Sequence, residues 1–97
     1  MDVIWLLSAS DTLHEHVAYV ADDNPAAAQR LRARIIRQVA TLATMPNRGR
    51  PGRVVGTREL VVARTAYIVA YRVRAGTVEV LRVVHGAQRS PRSFEEH

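Results

Sequence analysis

The sequence predicts an α+β fold of order βααβββ, in which an antiparallel helix hairpin packs on one face of a small, mainly antiparallel sheet. Two observations predict it. Residues 67–74 alternate between two unlike sets of side chains and are followed by a β-branched run at 77–85, which is the pattern of paired strands. Residues 8–44 instead repeat apolar residues at helical spacing, with an interruption at Asn24-Pro25. We expect residues 1–97 to form a single domain.

All fourteen basic residues are arginine, and the formal net charge is +5. Such a surface suits nucleic acid, an acidic protein or a phosphate-rich target, but codon bias acting on solvated positions explains it equally well. No run of about 18 apolar residues is present, so we expect no membrane span. We also expect no secretory signal, because the first residues lack a basic leader. Without cysteine the chain has no disulfide or thiolate metal site. This composition fits a reducing, cytoplasmic compartment, and we expect no cofactor and no metal.

The first strand is predicted at 2–7, where Trp5 is interpreted as a core residue because large aromatic side chains are usually buried. Ser8 is predicted to cap the first helix. His14 and His16 stand two positions apart and so point to different sides of that helix. We interpret both histidines as surface residues.

The second helix is predicted at 25–44, with Asn24 as its N-cap and Pro25 in its first turn. Residues 47–57 are rich in Gly and Arg and are predicted to form a loop without the spacing of a P-loop. The next strand is expected at 58–63. The buried stripe of the second helix is expected to consist of Ala28, Leu31, Ile35, Val39 and Leu42.

The last two strands are predicted to be joined by a three-residue turn at 74–76. A two-residue type I′ turn would need positive φ at Ala75, which its Cβ disfavours. The three-residue register pairs Val73 with Thr77. One sheet face then carries Tyr67, Val69, Tyr71, Val73, Leu81 and Val83, and the other carries Ile68, Ala70, Arg72, Val78, Val80, Arg82 and Val84. No element of the predicted fold covers the second face, so we expect it to bind a partner.

Several segments together resemble the RelE/ParE superfamily of toxins from type II toxin–antitoxin modules, and its ParE-like branch in particular. The segments are DNPAAAQRL, LATMPNRGRPGRVVGTREL, YIVAYRV and VEVLRVVHGAQR, and the resemblance spans nearly the whole chain. It implies a cognate antitoxin whose amphipathic, acidic segment covers the exposed sheet face. The residues expected to bind the antitoxin are Ile68, Ala70, Arg72, Val78, Val80 and Val84.

The resemblance leaves two activities open. RelE-like members cleave mRNA on the ribosome, which needs an acid–base group and a cation for the phosphate charge. At the positions where that branch typically carries such groups, this chain has Glu59, Val61, Ile68, Ala87 and Ser93. An apolar Ile68 cannot neutralise a phosphate. The resemblance therefore favours a non-catalytic ParE-like toxin that inhibits DNA gyrase.

The residues predicted to contact the target are Arg58, Arg64, Arg82, His85 and Arg89. If the chain were a RelE-like ribonuclease, His85 would serve with Arg82 and Arg89 as the catalytic set, because imidazole titrates near neutral pH. Arg82 is equally well explained by an ion pair with a neighbour or with the antitoxin. A plain interaction domain is a third possibility, and it predicts no growth defect when the chain is expressed alone.

Overall fold

The computed structural model describes residues 1–86 of the 97-residue chain. Its elements are β1 (Asp2–Trp5), α1 (Leu7–Asp23), α2 (Pro25–Ala40) followed by a 3-10 turn (Thr41–Ala43), β2 (Arg50–Pro51), β3 (Arg58–Val61), β4 (Tyr67–Arg74) and β5 (Thr77–His85). The strands form one sheet in the order β1-β5-β4-β3-β2, in which β1 runs parallel to β5 and the other neighbours are antiparallel. The predicted α+β fold is confirmed, with the short β2 added inside the predicted loop.

The boundary between the helices follows its local chemistry. Asn24 Oδ1 accepts a hydrogen bond from Ala27 N at 3.0 Å, and Pro25 occupies the first turn of α2, as predicted. The predicted cap at Ser8 is wrong, because α1 begins at Leu7 without a side-chain cap. Ser8 lies in the first turn, and its hydroxyl donates to the Leu81 carbonyl of β5 at 2.8 Å.

Polar side chains of α1 complete the hydrogen bonding of β5. The pairing of β1 with β5 ends at Val80, so the following backbone has no strand on that side. Beyond Ser8, Thr12 Oγ1 accepts from Val83 N at 2.8 Å, and His16 Nε2 lies 3.1 Å from Val83 O. A spacing of four residues places these three side chains on one face of α1. They satisfy backbone groups that would otherwise be costly to bury.

The β4–β5 turn contains two residues rather than the predicted three. Arg74 pairs with Thr77, and the intervening Ala75 and Gly76 have φ values of 53° and 75°. Positive φ at both positions is characteristic of a type I′ turn, whose twist matches that of the flanking strands. The match outweighs the conformational penalty at Ala75, which is about 1–2 kcal/mol for a residue with a Cβ.

The shorter turn and a β-bulge change which way the residues of β5 face. Leu81 is an extra residue between Val80 and Arg82, at the point where the pairing with β4 shifts. Val78 and Val80 consequently lie in the core with 0% exposure, and their predicted placement on the other face is wrong. Leu81, predicted for the core, lines the other face instead. Beyond the bulge the predicted alternation is restored.

The core lies between the helices and one face of the sheet. Its largest fully buried side chains are Tyr71, Ile35, Leu42, Val39, Val62, Val69, Val78, Val80 and Val83. Trp5 packs against this core but is only partly buried. Four of the five residues predicted for the α2 stripe are fully buried, and Leu31 packs against them. Within residues 1–86, no helix is both long and apolar enough to cross a membrane.

Candidate protein-binding site

The sheet face that points away from the helices, here called the open face, carries a shallow cleft of about 320 Å³. The cleft is lined by Arg53, Val54, Thr57, Glu59, Ala70, Arg72, Leu81, Arg82 and Val84. The two helices pack against the other face of the sheet, where the core lies. Ala70, Leu81 and Val84 give the cleft an apolar floor, and charged side chains surround it. An apolar centre with a polar rim is typical of protein–protein interfaces.

The connection between β2 and β3 forms one wall of the cleft and is tightly held. Gly52 N donates to Thr57 O at 2.7 Å, and Thr57 Oγ1 donates to Val54 O at 2.6 Å. A Cβ at Gly52 would collide with Thr57 Oγ1, so the turn needs glycine at this close approach. The tip presents apolar side chains to solvent, since Val54 is 66% and Val55 99% exposed.

Two glutamates pair with arginines of the sheet. Glu79 accepts hydrogen bonds from Arg72 at 2.6 Å and from Arg74 at 3.5 Å. The bond from Arg72 holds the pKa of Glu79 below its ordinary value. Glu59 is buried, and its carboxylate lies 3.4 Å from Arg50 Nε. These arginines are therefore already paired with carboxylates of the same chain.

Arg82 differs from those arginines. It is exposed, and no ion pair joins it to another residue in the described part of the chain. It lies opposite Ala70 and next to Leu81 and Val84 on the cleft lining. A positive charge beside an apolar floor is suited to a carboxylate that a partner brings with it.

The structure places four of the six residues predicted to bind the antitoxin on the open face: Ile68, Ala70, Arg72 and Val84. Ile68 is only 8% exposed and so offers little surface. Val78 and Val80 are in the core and offer none. The sequence-based prediction missed four apolar residues of this face and its wall: Ile4, Val54, Val61 and Leu81. Period-2 alternation along β3 was the signal for Val61, which follows Glu59 by two positions.

Of the five residues predicted to contact the target, the four that the structure describes are spread over both faces of the sheet and a turn. Arg58 Nη1 donates to the Gly49 carbonyl at 2.7 Å and so holds the segment that leads into β2. Arg64 is exposed in the turn between β3 and β4. Arg89 lies outside the described residues. So do Ala87 and Ser93, two of the positions compared with the RelE-like branch.

The structure places Arg82 and His85 on opposite faces of the sheet. Arg82 lies on the open face, whereas His85 pairs with Tyr67 on the helix side of the sheet. The ring of His85 packs edge-on against Tyr67, with 5.1 Å between the ring centroids. The sheet therefore lies between the side chains of these two predicted residues.

A second cavity, of about 500 Å³, opens on the helix side at the end of the sheet. It is lined by Glu15, His16, Tyr19, Val20, Tyr67 and His85. The rings of His16 and Tyr67 meet edge-on with 5.0 Å between their centroids. Burial lowers the pKa of His16, against the opposing effect of its hydrogen bond to Val83, and burial raises the pKa of Tyr67. His14 is exposed, as predicted, whereas His16 is partly buried, and its spacing of four from Thr12 was the available signal.

Known proteins share this fold and much of this sequence. The family model described as the ParE toxin of the type II toxin-antitoxin system, parDE, matches residues 3–90. The protein Y4kP of Sinorhizobium fredii is 47% identical over 87 residues, which are 90% of each chain. Toxin RelE2 of Caulobacter vibrioides is 35% identical over 89% of this chain and 96% of its own.

Two solved structures resemble the chain along most of its length. The chromosomal ParDE TA system from P. aeruginosa matches with a TM-score of 0.82 at 26% identity, over 88% of this chain and 95% of that one. The toxin-antitoxin complex RelBE2 from Mycobacterium tuberculosis matches with a TM-score of 0.62 at 28% identity, over 87% and 95% respectively.

Proposed function

The chain belongs to the ParE toxin family of type II toxin–antitoxin systems, and we propose that it acts by binding and inhibiting DNA gyrase rather than by cleaving RNA. The observation that carries this proposal is the charge arrangement of the open face. Arg72 and Arg74 are paired with Glu79, and Arg50 is paired with Glu59. Cations that are already paired with carboxylates are less suited to stabilise the charge of a phosphodiester undergoing cleavage.

Two further features support binding over cleavage. Glu59 places a buried carboxylate at a position where the ribonuclease branch is typically basic, and a carboxylate repels phosphate. Ile68 is apolar where that branch has an arginine, and His85 faces away from Arg82. On the open face the carboxylate of Glu59 is paired with Arg50, and the imidazole of His85 lies on the other side of the sheet from Arg82.

The antitoxin, in this proposal, lays an amphipathic segment across the cleft of the open face. Its apolar side chains pack on Ala70, Leu81 and Val84, under the wall formed by Val54. Each apolar side chain that becomes fully buried contributes about 1.5–3 kcal/mol. A carboxylate of the segment pairs with Arg82, which has no ion pair within the described residues. The two similar solved structures, the ParDE TA system and the toxin-antitoxin complex RelBE2, support an antitoxin as the partner.

The target is tested with purified protein in two assays run side by side: DNA supercoiling by gyrase, and mRNA cleavage on ribosomes. We expect inhibited supercoiling and intact mRNA. Ribosome-dependent cleavage that His85→Ala abolishes would replace the proposal with a ribonuclease. Normal growth of cells that express the chain without its antitoxin would remove the toxin assignment itself.

The antitoxin surface is tested by charge reversal. Arg82→Glu should weaken the affinity for the cognate antitoxin about tenfold or more, because the substitution sets two like charges against each other. The matched control is Arg37→Glu, an exposed arginine of α2 on the other side of the molecule. Equal affinities of the two variants would show that the antitoxin does not use Arg82.

A further inference from the structure

The helix-side cavity around Tyr67 is chemically unlike the rest of this basic chain. Two tyrosines, two imidazoles and a valine line it, together with the carboxylate of Glu15, and no arginine of the described residues belongs to the lining. Glu15 is exposed and has no ion pair within residues 1–86. The cavity is therefore aromatic and carries one carboxylate without an ion pair, whereas the protein as a whole has a net charge of +5.

The walls of the cavity come from three elements and are held in place. Tyr67, on β4, is 8% exposed, and the rings of His16 and His85 meet it edge-on. His16 lies 3.1 Å from the Val83 carbonyl, which can only accept, so Nε2 carries the proton. In the neutral ring Nδ1 then keeps a lone pair, and burial favours that neutral form.

Three ligand classes fit this cavity poorly. An anion meets the Glu15 carboxylate and no lining cation. A metal ion lacks ligands, because no group of three or more His, Cys, Asp or Glu residues within 1–86 is placed to hold one. A wholly apolar molecule would displace water from the Glu15 carboxylate without offering it a hydrogen-bond donor, which is costly.

We propose that this cavity binds an arginine side chain of a partner protein. A guanidinium is a flat, weakly hydrated cation that stacks on aromatic rings and donates several hydrogen bonds at once. Glu15 and Nδ1 of His16 accept those hydrogen bonds, and Tyr19, which is 78% exposed, provides a ring at the rim. The inference does not depend on gyrase being the target, because the cavity lies on the other side of the sheet from the open face.

The test is an NMR titration of the full-length chain with the peptide acetyl-Gly-Arg-Gly-amide. The control peptide carries citrulline, which has the shape of arginine without its charge. We expect saturable shifts at the amides of residues 15–20, 67 and 85, with the citrulline peptide bound about tenfold more weakly. Glu15→Gln should weaken arginine binding similarly, whereas Asp22→Asn, at an exposed acid near the end of α1, should leave it unchanged.

Four results would overturn the inference. Equal binding of the two peptides would show that charge is not recognised, and shifts confined to other residues would locate binding elsewhere. Equal binding by Glu15→Gln and Asp22→Asn would exclude Glu15 from the site, with thermal melts of both variants confirming that they fold. Arginine binding that arises only after Arg89→Ala and Arg92→Ala would assign the cavity to the chain's own tail instead of a partner.

Discussion

The hydroxyl of Tyr71 fastens the segment that leads from the helices into β2, and its removal gives the sharpest test of the fold. Tyr71 is 0% exposed; its hydroxyl donates to the Pro46 carbonyl at 2.7 Å and accepts from Gly49 N at 2.8 Å. Tyr71→Phe keeps the ring and its packing. It removes both hydrogen bonds and leaves the buried Gly49 N–H without its acceptor.

The expected loss in the free energy of unfolding follows from these contacts. An ordinary hydrogen bond contributes about 0.5–1.5 kcal/mol, and a buried donor left unpaired costs about 1–3 kcal/mol. Tyr71→Phe should therefore destabilise the protein by about 2–4 kcal/mol. For a domain of this size, each kcal/mol lowers the melting temperature by roughly 4–8 °C.

Urea denaturation followed by circular dichroism measures the difference. The matched control is Tyr19→Phe, which removes a hydroxyl from a tyrosine that is 78% exposed and should change stability by less than about 0.5 kcal/mol. If the two variants unfolded at the same urea concentration with equal slopes, the Tyr71 hydroxyl would contribute nothing to the fold, and the reasoning would be refuted.

Three further predictions concern the turn and the contacts between α1 and β5. Ala75→Asn should raise the free energy of unfolding by about 0.5–1 kcal/mol, because Asn before Gly76 suits a type I′ turn; a lower thermal midpoint would contradict that turn geometry. Thr12→Val should lower the free energy of unfolding by about 1–3 kcal/mol in urea denaturation, because Val83 N loses its acceptor. Unchanged stability would mean that water replaces the hydroxyl. Burial lowers the pKa of His16, so below its ordinary value of 6.5 the unfolded chain binds this proton more readily than the folded one. The free energy of unfolding should therefore fall as the pH drops from 6.5 towards the pKa of His16 in the folded protein. His16→Gln should show a shallower fall between pH 7.5 and 5.5. Parallel curves of stability against pH for the two proteins would assign the fall to other groups.

Much of the fold is predictable because its signals are local. The end of one helix and the start of the next are set by Asn24 and Pro25, whose capping bond and fixed φ act within a few residues. The bounds of β5 agree with the prediction because Gly76 and a run of β-branched residues mark them. Neither feature depends on which other element packs nearby.

The open face was predicted less well because its composition depends on non-local geometry. Whether Ala75 accepts positive φ is decided by the twist of two strands, and the bulge at Leu81 is decided by packing in the core. A shift of register by one residue reverses the facing of part of a strand, so the shorter turn places Val78 and Val80 in the interior instead of on the predicted surface. Residues on β1 and β3 join the face through pairings that the sequence of β4 and β5 does not encode.

The contacts that Ser8, Thr12 and His16 make with β5 also determine what other chains can do to this sheet. A strand with unsatisfied N–H and C=O groups along its side recruits strands from other molecules, which leads to aggregation or domain swapping. Because α1 occupies those groups from Leu81 to Val83, no foreign strand can extend the sheet there. The contacts of α1 thereby protect this edge of the sheet from pairing with a second copy of the chain.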